Sequence, residues 1–178
     1  MPIYTKKGEK GTTTFFDPCL TKNKRVPKNH TRLETIGSLD ELNSYLGIIK
    51  TFTDDQFFIN NINNIQNNIF TINSILAGAK LNFTSKKTLA LEKLIDQLDK
   101  ELPKLTNFIL PGGSNLSAQL QYARSLTRRA ERNLVALSQS EKIKPELIKY
   151  INRLSDTFFT LARYANFKLG VEDDIWNK

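Results

Sequence analysis

The 178-residue chain has one cysteine, one histidine, one tryptophan and one methionine. A lone Cys19 cannot close an internal disulfide, and with His30 as the single histidine a Cys/His zinc site is excluded. No stretch approaches the run of about 18 consecutive apolar residues expected of a membrane helix. The opening Met-Pro-Ile-Tyr-Thr-Lys lacks the apolar segment of a secretory signal. A cytoplasmic setting without membrane insertion is therefore expected. Outside residues 1–30 no run alternates apolar and polar side chains between hairpin signals, so little sheet is expected. Also missing are a Gly-x-x-x-x-Gly-Lys-Ser/Thr phosphate loop and any Ser/His/Asp or Cys/His arrangement for nucleophilic catalysis.

The remaining composition, 39% hydrophobic and 25% charged, is that of an ordinary globular chain, and the length suits one domain over 1–178. Apolar residues recur at helical spacing in five places. The first helix runs from Thr31, the start of a Thr31-x-x-Glu34 capping box, to about residue 52, with Ile36, Leu39, Leu42, Leu46 and Ile49 on one face. The second, 55–78, carries Phe58, Ile62, Ile65, Ile69, Ile72 and Leu76 in strict steps of four and three. The third, about 85–101, uses Leu91, Leu94, Ile95 and Leu98 behind a Thr84/Ser85 cap. The fourth follows Ser114 and has the seam Leu116, Leu120, Ala123, Thr127, Ala130, Leu134, Leu137. The fifth starts near Pro145, suited to a first helical turn, and stops at Gly170. The expected fold is all-α: a five-helix antiparallel bundle over 31–170, with an irregular N-terminal arm (1–30) and a short C-terminal tail (171–178).

The fourth helix contains the most informative run, Arg124-Ser-Leu-Thr-Arg128-Arg129-Ala130-Glu131-Arg132. At about 100° per residue, Arg124, Arg128 and Arg132 stack beside the apolar seam, with Glu131 near Arg124 and Arg129 pointing away. Like charges four residues apart destabilise a helix, so this face needs full solvation or an anionic partner, for which a polyphosphate is suitable.

Net charge is +8, and its excess is local: residues 1–32 hold eight Lys/Arg against two acids, whereas residues 84–102 hold four of each. Two basic foci suit a compact polyanion better than a duplex-length stripe, so nucleic acid is not the favoured partner. The arm, Tyr4-Thr5-Lys6-Lys7-Gly8-Glu9-Lys10-Gly11-Thr12-Thr13-Thr14, supplies glycine turns, hydroxyls and ammonium groups of the kind that cradle phosphate. Before the arginine helix, Phe108-Ile109-Leu110-Pro111-Gly112-Gly113-Ser114 makes a rigid entry with Ser114 as the cap. Backbone geometry accounts for the Pro and Gly residues there. It does not account for Phe108.

Four segments together, Tyr-Thr-Lys-x-Gly-x-x-Gly-x-Thr-Thr, Gly37-Ser38-Leu39-Asp40-Glu41-Leu42-Asn43-Ser44, Phe-Ile-Leu-Pro-Gly-Gly-Ser and Ala123 through Arg132, resemble the PduO-type ATP:cob(I)alamin adenosyltransferases, or corrinoid adenosyltransferases, in order and spacing across nearly the whole chain. The resemblance implies a homotrimer with active sites between subunits. It implies MgATP and a reduced corrinoid (cobalamin) as substrates, with Mg²⁺ held mainly by the ATP phosphates. The reaction it implies moves the 5′-deoxyadenosyl group to cobalt and releases triphosphate. A reductase and an acceptor enzyme dependent on adenosylcobalamin are the further partners implied.

Carried over by position, the resemblance assigns ATP binding to Thr5, Lys6, Lys7, Gly8, Thr13, Thr14, Lys28, Arg128, Arg129, Ala130, Glu131, Arg132 and Asn152. Arg128 and Phe108 receive catalytic roles, Phe108 against the corrin face where the lower axial ligand must leave. Arg132 is expected to pair with Asp40 of a neighbouring subunit. The chain departs from the family pattern at Gly8-Glu9-Lys10, where Gly-Asp is usual, and at Phe16-Asp17-Pro18-Cys19, where a glycine is frequent. Two other classes stay open on sequence: a nucleic-acid-binding bundle, and an ATP or corrinoid carrier that has lost turnover.

Overall fold

Side chains spaced for one helical face are the ones that bury. All six seam residues of α2 (Gln56–Leu76) are at most 3% exposed. All seven of α4 (Asn115–Ser140) are buried as well. The remaining helices are α1 (Thr31–Ile49), extended by a 3-10 turn over Lys50–Phe52, then α3 (Lys86–Asp99) and α5 (Pro145–Lys168). The computed structural model describes Tyr4, residues 6–15 and residues 24–176. Within it α1 packs against both α2 and α4, α4 against α5, and α5 against α3. One apolar core runs through these layers, closed by the fully buried Tyr150 and Phe158 of α5. The Tyr150 hydroxyl accepts from Asn68 Nδ2 at 3.1 Å, and burial pushes its pKa upward.

The ends of the helices follow capping chemistry. His30, not Thr31, caps α1: its Nδ1 accepts from Arg32 N at 3.2 Å, one residue earlier than the capping box suggested. Asp55 caps α2 through Phe57 N, and Ser114 caps α4 through Ser117 N. Ser85 sits at the α3 boundary without a side-chain cap bond. Pro145 occupies the first turn of α5. Gly170 (φ 64°) ends that helix with both Schellman bonds, Val171 N to Asn166 O and Gly170 N to Phe167 O. That turn sends residues 171–176 back across the loop before α4, where Ile109 and Ile175 form an antiparallel bridge.

Among the described residues of the arm, two short strands form a hairpin. Strands β1 (Thr12–Phe15) and β2 (Lys24–Pro27) pair antiparallel, Thr12 opposite Pro27 and Phe15 opposite Lys24. The run of β-branched threonines favours the pleat, and Val26 packs inward at 4% exposure.

Candidate functional site

The hairpin brings together residues far apart in sequence. Lys28 N donates to Gly11 O at 2.9 Å. A Cβ on Gly8 would stand 3.5 Å from Lys28 Nζ, so the lysine side chain lies over the bare glycine. Arg25, which sequence reasoning did not single out, ties the loop to the strand: its guanidinium donates to Lys7 O (2.5 Å) and to the Thr12 hydroxyl and carbonyl. Lys6 adopts a left-handed backbone (φ 56°), uncommon for a residue with a Cβ. The β1 pleat sends Thr13 and Thr14 to opposite faces of the strand. Thr5 lies outside the described residues, as does the Phe16-Asp17-Pro18-Cys19 departure.

On α4 the stacked arginines separate into different environments. Arg124 is half-buried and donates to Gln121 Oε1 at 2.9 Å. Burial, with the nearby Arg128 charge second, holds its pKa below the usual arginine range. Arg128 and Arg132 are exposed, and among the described residues neither makes an ion pair. Arg129 does not simply point away: it pairs with Glu41 of α1. Glu131 does not serve Arg124 either, for its Oε1 accepts from Asn152 Nδ2 on α5 at 2.7 Å. Adjacent α4 and α5 turns favour that choice. Ala130 is fully buried in the seam and acts as a spacer that sets the phase of its charged neighbours, with no side chain free for a ligand. Arg128, Glu131, Arg132, Gln139 and Asn152 line an open groove of about 500 Å³. Asp40 is exposed on α1 beside the Glu41–Arg129 pair, and among the described residues it makes no ion pair.

At the N-terminal end of α4, Phe108 is 80% exposed although the loop that carries it is firmly held. Trp176 N donates to Phe108 O (2.9 Å) and Leu110 N donates to Asp174 O (2.7 Å). Behind the loop is a cavity of about 560 Å³ with apolar walls that include Leu105, Ile109, Phe167 and Ile175. Phe108 does not line it and faces outward. The polar residues that anchor this loop, Arg163, Asn166 and Asp173, went unread in the sequence, because their signal is spread over a helix end and a tail without periodicity.

The site is thus a helical bundle that presents an arginine-lined groove on α4 and α5 and a backbone-anchored loop carrying an exposed Phe108. Residues 3–165 match the family model of the cobalamin adenosyltransferases, and the chain belongs to that family. It is 38% identical over 181 residues to a corrinoid adenosyltransferase of Bacillus subtilis, covering 97% of this chain and 91% of the relative. To a corrinoid adenosyltransferase of Homo sapiens it is 37% identical over 188 residues, covering 99% of this chain and 73% of the relative. The fold superposes with a TM-score of 0.92 and 35% identity on a variant PduO-type ATP:corrinoid adenosyltransferase from Lactobacillus reuteri complexed with cobalamin and ATP, covering 99% of this chain and 100% of that one.

Proposed function

We infer that this chain transfers the 5′-deoxyadenosyl group of ATP to the cobalt of a reduced corrinoid, forming adenosylcobalamin and releasing triphosphate. The observation that carries the reading is the match over essentially the full chain to adenosyltransferases, one of them solved with both substrates. The electron pair of Co(I) forms the Co–C5′ bond as the C5′–O bond breaks and its electrons leave on triphosphate. No protein nucleophile is required. What the protein contributes is position, charge and exclusion of water.

The groove residues suit the leaving group. Arg128, without an ion pair among the described residues, is assigned to the triphosphate as it gains charge, Arg132 lines the same groove while reaching the subunit interface, and Asn152, held by Glu131, presents its amide beside them. The ammonium of Lys28 lies over Gly8, and with Lys6 and Lys7 on the same loop it is assigned to a second part of the polyphosphate. Thr13 and Thr14 are assigned to ATP from the adjoining strand. Among the described residues no group of three or more His, Cys, Asp or Glu side chains is placed to hold a metal. The groove itself offers one carboxylate, Glu131. Mg²⁺ keeps its waters and substrate phosphates where few carboxylates are offered, so it fits as part of the ATP complex.

Phe108 is assigned the lower face of the corrin, where its ring excludes water and the axial base from cobalt and makes reduction of Co(II) to Co(I) easier. The proposed assembly is a homotrimer with Arg132 of one subunit paired to Asp40 of the next. Both side chains are exposed without an ion pair in the described chain. Gly37, three residues before Asp40, leaves open space where a Cβ would stand. A helix-interior glycine costs about 1 kcal/mol relative to alanine, and close approach of another subunit gives that cost a purpose. Among the described residues no helix is long and apolar enough to cross a membrane, and the setting we propose is cytoplasmic. A reductase would supply the electron for Co(I), and an adenosylcobalamin-dependent enzyme would consume the product.

The test is an anaerobic absorbance assay of the protein with reduced cobalamin and MgATP, with triphosphate measured in parallel. The adenosylcobalamin spectrum and equimolar triphosphate are expected. Tight binding of both substrates without either product would overturn transfer in favour of a carrier.

A further inference from the structure

The loop that presents Phe108 is pinned by a polar network built from the end of α5 and the C-terminal tail. Arg163, 7% exposed, donates through Nε to Asp173 Oδ2 at 2.9 Å and through its second arm to Pro103 O at 2.7 Å. Asn166, 4% exposed, donates through Nδ2 to Asp173 Oδ1 at 3.1 Å and accepts from Ser114 N at 2.9 Å. Its amide fills the space beside Gly113. A Cβ on Gly113 would stand 2.4 Å from Asn166 Oδ1, and φ there is 91°, so the second glycine of Pro-Gly-Gly is needed twice over. Asp173 is thus the knot. It joins the connection before the loop, through Arg163 and Pro103, to the connection after it, through Asn166 and Ser114. The next tail residues then hold the loop's middle by the backbone bonds of Asp174 and Trp176 to Leu110 and Phe108.

A phenyl ring at 80% exposure adds little burial to the fold, yet a partly buried ion pair, with side chains 8% and 20% exposed, fixes the backbone beneath it. We propose that Arg163, Asp173 and Asn166 are positioning residues for the corrinoid step: they set the height and angle of Phe108 and act on cobalt only through it. This rests on the assignment of Phe108 to the corrin face. A shift of order 1 Å in a reacting arrangement costs on the order of 100-fold in rate, so a slack loop is expected to forfeit most of what the ring contributes.

The test uses the full-length protein with Asp173→Asn, Asn166→Ala and Phe108→Ala. Asp173 lies beyond the last helix, so its variant keeps the bundle, and Asn166→Ala breaks the same network with the ion pair left in place. Trp176, the chain's single tryptophan, reports tail docking directly: its emission should shift red and become more quenchable in both network variants. With MgATP and cob(II)alamin, the four-coordinate Co(II) signal should fall in all three variants. Turnover of cob(II)alamin should drop at least ~10-fold by the same positioning argument. KM for ATP should hold, and activity toward cobinamide, which has no tethered lower base and only water to exclude, should fall less than activity toward cobalamin. Adding Phe108→Ala to Asp173→Asn should cost nothing further. Equal losses on cobalamin and cobinamide would reduce the network to general stability and overturn the proposal. If Phe108→Ala alone loses the four-coordinate signal and both network variants keep it, the network fails while the Phe108 assignment stands. If Phe108→Ala itself keeps the signal, that assignment fails and the network falls with it.

Discussion

Replacing Arg128 with alanine separates binding from folding more cleanly than any other change in the groove. Arg128 is exposed on α4 and makes no ion pair among the described residues, so its removal leaves no buried partner unsatisfied. It lies close enough to Arg124 that its charge disfavours protonation there, and alanine is the better helix former. The stability of the variant should therefore stay within about 0.5 kcal/mol of wild type. In the substrate complex the same side chain is assigned a charge-assisted bond to phosphate, whose loss is worth about 1.5–3 kcal/mol. That corresponds to about 10- to 100-fold in kcat/KM for ATP. Arg129→Ala is the internal comparison. Arg129 is committed to Glu41 across α1 and α4 in a half-exposed pair worth at most about 1 kcal/mol, so its loss should disturb ATP kinetics less. The assay is anaerobic adenosylcobalamin formation against ATP concentration, beside a thermal melt. Unchanged ATP kinetics in a folded Arg128→Ala protein, or a larger defect in Arg129→Ala, would refute the assignment of the groove.

Assembly is tested by Asp40→Asn and Arg132→Ala singly and together: if they pair between subunits, the double variant should be less impaired than the sum of the singles, and sedimentation of wild type should give a trimer. A wild-type monomer at micromolar concentration would end the interface argument. Phe108→Ala should slow adenosylation from bound cob(II)alamin while leaving MgATP affinity nearly unchanged, because the side chain lies outside the arginine groove; a parallel loss of ATP affinity would contradict this. Asp55→Ala should destabilise the fold by about 1 kcal/mol through loss of the α2 cap, read from chemical denaturation. Bonds from Lys168 first, then from Phe57 N, hold the Asp55 carboxyl below its ordinary pKa. Its stabilisation is therefore present above the unfolded value of about 3.9 and lost as pH falls through the lower folded value. An acid-unfolding midpoint identical in wild type and Asp55→Ala would remove that contribution.

Periodicity along the chain was enough to place α2 and α4, because a seam in steps of four and three has one low-energy way to bury, and each seam residue named for those two helices is in the core. Pro145 and Gly170 marked helix ends because the restriction of one and the freedom of the other are local properties of the backbone. The arginine face was legible for the same reason, since it follows from residue type and helical phase, whereas Phe108 stood out in the sequence only as a residue that loop geometry does not require, and its exposure came from the fold. Pairing was not. Glu131 has Arg124 within its own helix and Asn152 across the interface, and the tertiary packing of α4 on α5 selected the second. Glu41 likewise took Arg129, leaving Asp40 without an ion pair among the described residues. Lys28 reaches Gly8 through strand pairing between segments that only a three-dimensional register brings together. The tail beyond Gly170 carries no periodic signal, and its meaning appears when Asp173 meets Arg163 and Asn166 at the end of α5. A one-dimensional pattern determines which face each helix buries; the choice among several nearby polar partners depends on the offset and rotation of packed elements, which only the folded chain specifies.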